Sequence, residues 1–273
     1  MNWPLPSKSL VGMVHLGALP GSPGHARSIR DLARAAVAEA RVLAEEGFDA
    51  IMLENMHDRP YVNAPHPPET VASFTRIAGA VRDALPDVRL GFQVLSLGHI
   101  EALAIAHAVG GDFIRVENFA FAHIGDEGLM PDATAGPLLR ARRTLGAASI
   151  ALLCDIKKKH ASHAMTADLS LADTAKATEF LGADAVVITG AFTGEPTSPD
   201  DVIEAKRACG IRVVVGSGAT PDDAPDLLRH ADALIVGSFI KRGGVWSNPV
   251  DRRRCRVLRR ACPSPRRAQM RGE

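Results

Sequence analysis

The sequence predicts an α/β fold of the (β/α)8 TIM-barrel class, and three observations predict it. Eight short apolar runs alternate with helix-period segments from one end of the chain to the other. A helix–Gly–Asp–strand junction recurs as EEGFDAI, VGGDFI and FLGADAVV, the weak internal repeat that a β/α array produces. The last two runs, VVVGSGAT (213–220) and ALIVGSFIK (233–241), both close on small residues, at the place where barrels frequently build a phosphate site.

The runs read as strands in chain order: LVGMVHL (10–16), DAIMLEN (49–55), RLGFQVL (89–95), DFIRVEN (112–118), SIALLCDIK (149–157), DAVVITG (184–190), RVVVGSG (212–218) and ALIVGS (233–238). Val, Ile and Leu fall on both faces, as parallel strands covered on both sides require. The helix predicted over 28–47 places Leu32, Ala36, Ala40 and Leu43 on one side, with Ser28 as its N-cap and Gly47 as its left-handed end. Strand and helix alternating eight times favour a closed parallel barrel. The doubly wound open sheet is the alternative, weakened by the lack of a GxGxxG turn after the first strand. No Pro/Ser linker divides the chain. Residues 1–262 therefore read as a single barrel domain and 263–273 as a basic, disordered tail.

Composition sets the class. The chain has 273 residues, 46% hydrophobic and 23% charged, as in an ordinary soluble globular protein. Aromatics are only 4%, so Ala, Val, Ile and Leu must build the core. Cys154, Cys209, Cys255 and Cys262 are scattered without CxxC spacing, which reads as reduced thiols in a cytoplasmic protein. No apolar run reaches the ~18 residues of a membrane span, and VGMVHLGALPG makes a first strand rather than a signal peptide. Residues 251–273 carry nine arginines against Asp251 and Glu273, a net +7, leaving the rest of the chain at −6. Without interleaved aromatics or a recognisable module, this reads as a solvated final helix running into the tail, with no specific nucleic-acid partner.

In a barrel, residues at the C-terminal ends of the strands face the site. Here they are His15, Glu54, Asn55, Gln93, Glu117, Asn118, Asp155, Lys157, Thr189, Ser217 and Ser238. A buried strand tip has no structural need for charge, which is expensive to bury unless paired. Glu54, Glu117 and Asp155 are candidate general acids or bases, because crowded carboxylates titrate apart. Lys157 would neutralise an oxyanion or form a Schiff base, and His15 would shuttle a proton. The same carboxylate and amide oxygens suit Mg2+ or another divalent cation, whereas the His160–His163 spacing is by itself too weak a signal for zinc.

Gly216, Ser217, Gly218, Gly237 and Ser238 are the candidate phosphate anchors. With no Cβ in the way, backbone N–H groups approach an anion closely, and a helix N-terminus is expected behind them. A lone Gly-Ser-Gly also ends strands because turns need it; two such ends, spaced by one helix at the end of the series, point to phosphate. The loop TGAFTGEPTSPD (189–200) would complete the cup through Thr189, Gly190, Thr193 and Gly194, with Gln93 facing the substrate and Ser198 capping the next helix. The basic run after strand five, Lys157, Lys158, Lys159 and His160, suits an anionic substrate. The Gly/Pro-rich loops 15–28 and 54–70 are long enough to be lids.

Taken in order over residues 9–252, VGMVHLGALPGSPG, GFDAIMLENMHDRPY, GDFIRVENF, DIKKKHASHAMTAD, VVITGAFTG, VVVGSGAT and VGSFIKRGGVWSNPVD resemble the BtpA/SgcQ family. The resemblance implies a TIM barrel of the ribulose-phosphate-binding type. One member is associated with photosystem I biogenesis at cyanobacterial membranes. Another lies in a bacterial sugar-utilisation operon, and relatives carry isomerase or nucleosidase labels by analogy. Many cyanobacterial-type members have an Arg-Asn-Asp segment after strand three; this chain reads VLSLGH (94–99). Its KKKHASHA segment marks another branch, so a photosystem role does not carry over with the motifs.

Two functions are expected from different classes. The first is an enzyme acting on a phosphorylated sugar or nucleoside-like metabolite by isomerase, lyase or glycosidic hydrolase chemistry, possible as a homo-oligomer. The second is a non-enzymatic assembly factor at a membrane periphery, supported mainly by the basic tail. The polar strand ends favour the enzyme, since a scaffold has no use for them. A phosphoribosylanthranilate-isomerase-like activity rests on fold analogy alone.

Overall fold

The computed structural model describes residues 3–158, 160–190 and 197–262. Its strands are β1 (Ser9–His15), β2 (Ala50–Glu54), β3 (Arg89–Gln93), β4 (Phe113–Val116), β5 (His123–Gly125), β6 (Gly128–Met130), β7 (Ala151–Asp155), β8 (Ala161–Ser162), β9 (Ala185–Ile188), β10 (Arg212–Val215) and β11 (Ala233–Val236). The eight strands expected from sequence close into one parallel barrel in the order β1-β11-β10-β9-β7-β4-β3-β2. Its helices are α1 (Ile29–Glu45), α2 (Pro68–Ala84), α3 (His99–Val109), α4 (Ala135–Thr144), α5 (Leu171–Phe180), α6 (Pro199–Ala208), α7 (Ala224–His230) and α8 (Arg252–Ala261). None of the described helices is long and apolar enough to cross a membrane.

Strand periodicity sorts the core into two layers. Inside the barrel lie Val11, Met13, Ala50, Met52, Phe113, Ala151 and Leu153, with Ala185, Val187, Val214, Ala233 and Ile235; Leu5 and Trp3 close the cluster. The alternate residues, such as Leu10, Ile51, Leu152 and Val186, pack outward against the helices. Strand β3 gives up an inner side chain at Gly91, where a Cβ would sit 2.0 Å from the Phe113 ring. In α1, Leu32, Ala36, Ala40 and Leu43 are the buried face and the Ser28 side chain accepts from the Asp31 N–H. Gly47 follows at φ +82°, a conformation that favours glycine.

The recurring Gly-Asp junction is a clamp at the base of the barrel. Asp49, Asp112, Asp184 and Asp232 each precede a strand, and each accepts the backbone N–H of the second residue of the preceding barrel strand. The donors are Leu10 (2.9 Å), Leu90 (2.8 Å), Leu152 (3.0 Å) and Val213 (2.9 Å). Each carboxylate also pairs with a cation: Arg259 with Asp49, Arg89 with Asp112, Arg142 with Asp184, Lys206 and Arg212 with Asp232. The fourth copy, HADALI (230–235), lacks the glycine, and so the glycine-centred pattern passes over it.

Two features differ from the sequence reading. Residues 123–130 form a hairpin, β5–β6, to which β8 adds antiparallel; strands of two and three residues are too short to show a period. The final helix is also tied down more than a solvated helix would be. Arg252 and Arg256 pair with Glu46, Arg252 also with Glu45, and Arg259 reaches Asp49 with both side chains nearly buried. The basic tail 263–273 lies outside the described residues.

The clamps yield a stability test. Asp184→Ala leaves the Leu152 N–H without its acceptor and Arg142 without its carboxylate, and is expected to cost about 3 kcal/mol. Glu45→Ala removes an exposed partner of Arg252 and is expected to cost less than about 1 kcal/mol. Urea denaturation of both variants checks this; equal losses would remove the clamp from its structural role.

Candidate active site

The alternation that fills the barrel with apolar side chains also builds the polar layer above it. Two residues beyond Met13 comes His15, beyond Met52 Glu54, beyond Phe113 Arg115, beyond Leu153 Asp155, beyond Val187 Thr189, beyond Val214 Gly216 and beyond Ile235 Gly237. Register keeps them level: His15 pairs with Glu54, and Glu54 with Gln93. Above this layer opens a cavity of about 370 Å³. His15, Glu54, Gln93, Glu117 and Asp155 line it, together with Gly216, Ser217, Gly218, Gly237 and Ser238.

Three acid–base pairs surround the cavity. Arg115 grips Asp155 through two contacts, Nε–Oδ2 at 3.0 Å and Nη2–Oδ1 at 2.8 Å. Burial pushes the Asp155 carboxyl up and Arg115 opposes it; the forked geometry is that of an ion pair. Gly216 is there for this pair, because a Cβ would meet Val187 at 2.5 Å and the Arg115 guanidinium at 3.0 Å. Glu117 takes Lys158 Nζ at 3.1 Å and the Leu97 N–H at 3.0 Å. Burial works against its ionisation, but Lys158 and that N–H prevail and hold it at about 2. His15 Nε2 lies 3.7 Å from Glu54 Oε2, and His15 Nδ1 donates to the Trp246 carbonyl at 2.8 Å.

On the wall of small residues, Ser217 is buried and its Oγ has no hydrogen-bond partner among the described residues; the same holds for Gln93 Oε1. A buried polar atom without a partner is costly. The helix expected behind the glycine turn is set back. Gly218 has φ +79°, and Thr220 N–H bonds the Asp223 side chain before α7 begins at Ala224. After β11, α8 starts only at Arg252.

Lys157 is turned away from the cavity: its Nζ donates to the Thr166 carbonyl at 2.8 Å. Its φ of +46° breaks the strand alternation and hands the inward position to Lys158. Thr189 is buried beside Gly216, and neither it nor Gly190 is on the cavity wall. Thr193 and Gly194 lie outside the described residues. Ser198 is the N-cap of α6 by backbone position, without a side-chain cap bond. His160 faces Asp126 at 3.7 Å, while His163 Nε2 bonds the Lys158 carbonyl. Among the described residues no group of three His, Cys, Asp or Glu is placed to hold a metal ion. Lys158, named only within the basic run, takes the place expected of Lys157, and the site residues that sequence reading passed over are Arg115, Trp246, Arg59, Tyr61 and the Asp126–Glu127 turn. Arg115 carried a signal: two residues before Glu117, it shares that strand face.

The Glu117–Lys158 pair has a defined acid limit. Its carboxyl falls from an ordinary 4.5 to about 2 in the fold. The stability this gives is full above 4.5 and is lost as pH falls toward 2. The stability gap between wild type and Glu117→Gln is therefore expected to be constant above pH ~5 and to shrink below it. Denaturant midpoints measured from pH 7 to 3 check this, and a gap that widened on acidification would contradict the pairing.

Comparison with known proteins fits the architecture. The solved structures it resembles include a tryptophan synthase chain of Mycobacterium tuberculosis (TM-score 0.60, 19% identity, 94% of this chain and 93% of that one). A thiamine phosphate pyrophosphorylase from Pyrococcus furiosus (0.56, 16%, 93% and 95%) and a 3-hexulose-6-phosphate synthase (0.57, 18%, 93% and 99%) are also similar. At these identities the likeness shows the fold. By sequence, an uncharacterised mitochondrial protein of Caenorhabditis elegans is 40% identical over 250 residues, covering 90% of each chain. The photosystem I biogenesis protein BtpA of Synechocystis sp. is 35% identical over 243 residues, 89% of this chain and 83% of that one. The BtpA family model matches residues 6–263. On the strength of that match and these relatives, the chain belongs to the BtpA family.

Proposed function

We propose that this protein is an enzyme acting on a phosphorylated sugar or nucleoside-like metabolite held in the barrel mouth. The observation that carries the reading is the buried Ser217 hydroxyl, without a hydrogen-bond partner among the described residues, on a wall of small residues in the cavity that Glu54 and His15 also line. Ser217, Gly218, Gly237 and Ser238 form the phosphate end. Glu54 moves a proton at the reacting end with His15 beside it, a step shared by isomerase, lyase and glycosidic hydrolase chemistry. Arg115–Asp155 and Glu117–Lys158 hold that end rigid and charged but balanced. The fold neighbours whose names include a phosphorylated compound support this choice of substrate class, as does the position of the glycine-ended strands. Three buried acid–base pairs around one cavity support catalysis over a scaffold role, since buried charge carries a desolvation cost of several kcal/mol per ion. The four cysteines, free and buried, are compatible with a reducing cytoplasm, where we place the activity.

Thermal-shift screening against phosphorylated sugars and nucleotides, with and without Mg2+, tests the reading. A ligand at 1 mM with an affinity of ~10 μM adds roughly 2.7 kcal/mol and is expected to raise Tm by several degrees. Ser217→Asp, which sets a carboxylate against the phosphate, is expected to abolish the shift while Glu54→Gln keeps it and loses turnover. No stabilising ligand, or a shift that survives Ser217→Asp, would overturn the proposal.

A further inference from the structure

Residues 242–249 leave the barrel after β11 and return through an antiparallel bridge between Lys241 and Val250. The foot of this loop is firmly held. Lys241 is fully buried, with Nζ 2.7 Å from Glu39 Oε2 on α1, and the Arg242 N–H bonds the Pro249 carbonyl at 2.9 Å. Gly243 and Gly244, at φ +68° and +73°, turn the chain sharply, as glycine permits. Trp246 then stands on the cavity wall. The Arg59 guanidinium lies 4.8 Å from its ring and His57 5.0 Å away, so the loops after β2 and β11 interlock at the mouth.

We propose that the Trp246 carbonyl sets the tautomer of His15, making this loop a positioning element for proton transfer; the inference rests on the acid–base role given above to Glu54 and His15. The carbonyl lies 2.8 Å from Nδ1. A carbonyl has no hydrogen to give, so Nδ1 carries one whether the ring is neutral or charged. The hydrogen that comes and goes is on Nε2, which lies toward Glu54 at 3.7 Å. The edge of the imidazole rests on Gly237, where a Cβ would lie 3.3 Å from both Cε1 and Nε2. The glycine therefore leaves room for the ring in that orientation. The proton that Glu54 takes from substrate passes to Nε2 through one bridging water, regenerating the carboxylate and forming imidazolium, and the same path returns it in the product step. Trp246 thus acts through its backbone, while its indole, held by Arg59 and His57, keeps that backbone in place.

Long-range proton–nitrogen correlation spectra of the full chain with 15N-labelled histidine read the tautomer directly, His15→Gln assigning the signal. In the neutral ring Nδ1 is expected protonated and Nε2 bare. Trp246→Gly releases the indole from Arg59 and His57 and is expected to mix the two tautomers. Arg59→Ala loosens the same stack from the exposed side and is expected to give a smaller change in the same direction, which guards against misfolding of the first variant. A protonated Nε2 in the wild type, or an unchanged tautomer in both folded variants, would overturn the inference. The spectra need no ligand, so a failed ligand screen and a failed tautomer assignment are separate outcomes.

Discussion

At the base of the barrel, four aspartates each bind the N–H of the second residue of the barrel strand before the one they precede, and the rest of the structure depends on that contact. It ties β1 to β2, β3 to β4, β7 to β9 and β10 to β11, every other seam of the closed sheet. Register between parallel strands is otherwise set by the hydrophobic pattern, and a one-residue slip would turn every side chain to the opposite face. Strands this short, four or five residues for the most part, have little pattern with which to resist such a slip. The carboxylates hold it from the bottom, with their own charge met by Arg or Lys and one backbone donor each.

Fixing the bottom of each strand fixes the top. Counting up from Val11, Ala50, Ala151 or Ala185 by twos passes through an apolar layer and ends at His15, Glu54, Asp155 or Thr189. The cavity is thus the place where the inner column of each strand changes from apolar to polar, and the clamps determine that these changes occur at one height. Phe113 fills the space that Gly91 leaves, so the apolar layer is closed beneath the polar one. Arg115, the next inward residue on β4, lies between the two and is buried against Asp155.

Parity explains what was legible in the sequence. Eight strands and most of the polar tips follow from a period of two and from the Gly-Asp junctions, since both are local. The β5–β6 hairpin is not legible, because three residues cannot display a period. The choice between Lys157 and Lys158 turns on one left-handed residue inside a run of three lysines, and composition is blind to it. Arg115 lies two residues before Glu117 on the same strand face, one step below the strand tip. Trp246 and Arg59 meet from loops nearly two hundred residues apart in sequence, a juxtaposition that only the closed barrel creates.

Pairing also constrains what the site can recognise. Arg115 is committed to Asp155 and Lys158 to Glu117, so neither cation is offered to a ligand at full strength, and separating either pair would leave a buried carboxylate uncompensated. Under the proposed function the anionic group is met instead by Ser217, Gly218, Gly237 and Ser238, neutral groups on the cavity wall. Gly216 makes room for Val187, Thr189 and the Arg115 guanidinium, each of which a Cβ there would crowd. The division follows from the fold: charge is held in balanced pairs on β4, β7 and the loop after β7, and close approach is allowed on β10 and β11. Under the proposed function, a substrate with its anionic end on β10 and β11 would turn its other end to the neighbouring β1 and β2, where Glu54 and His15 face each other.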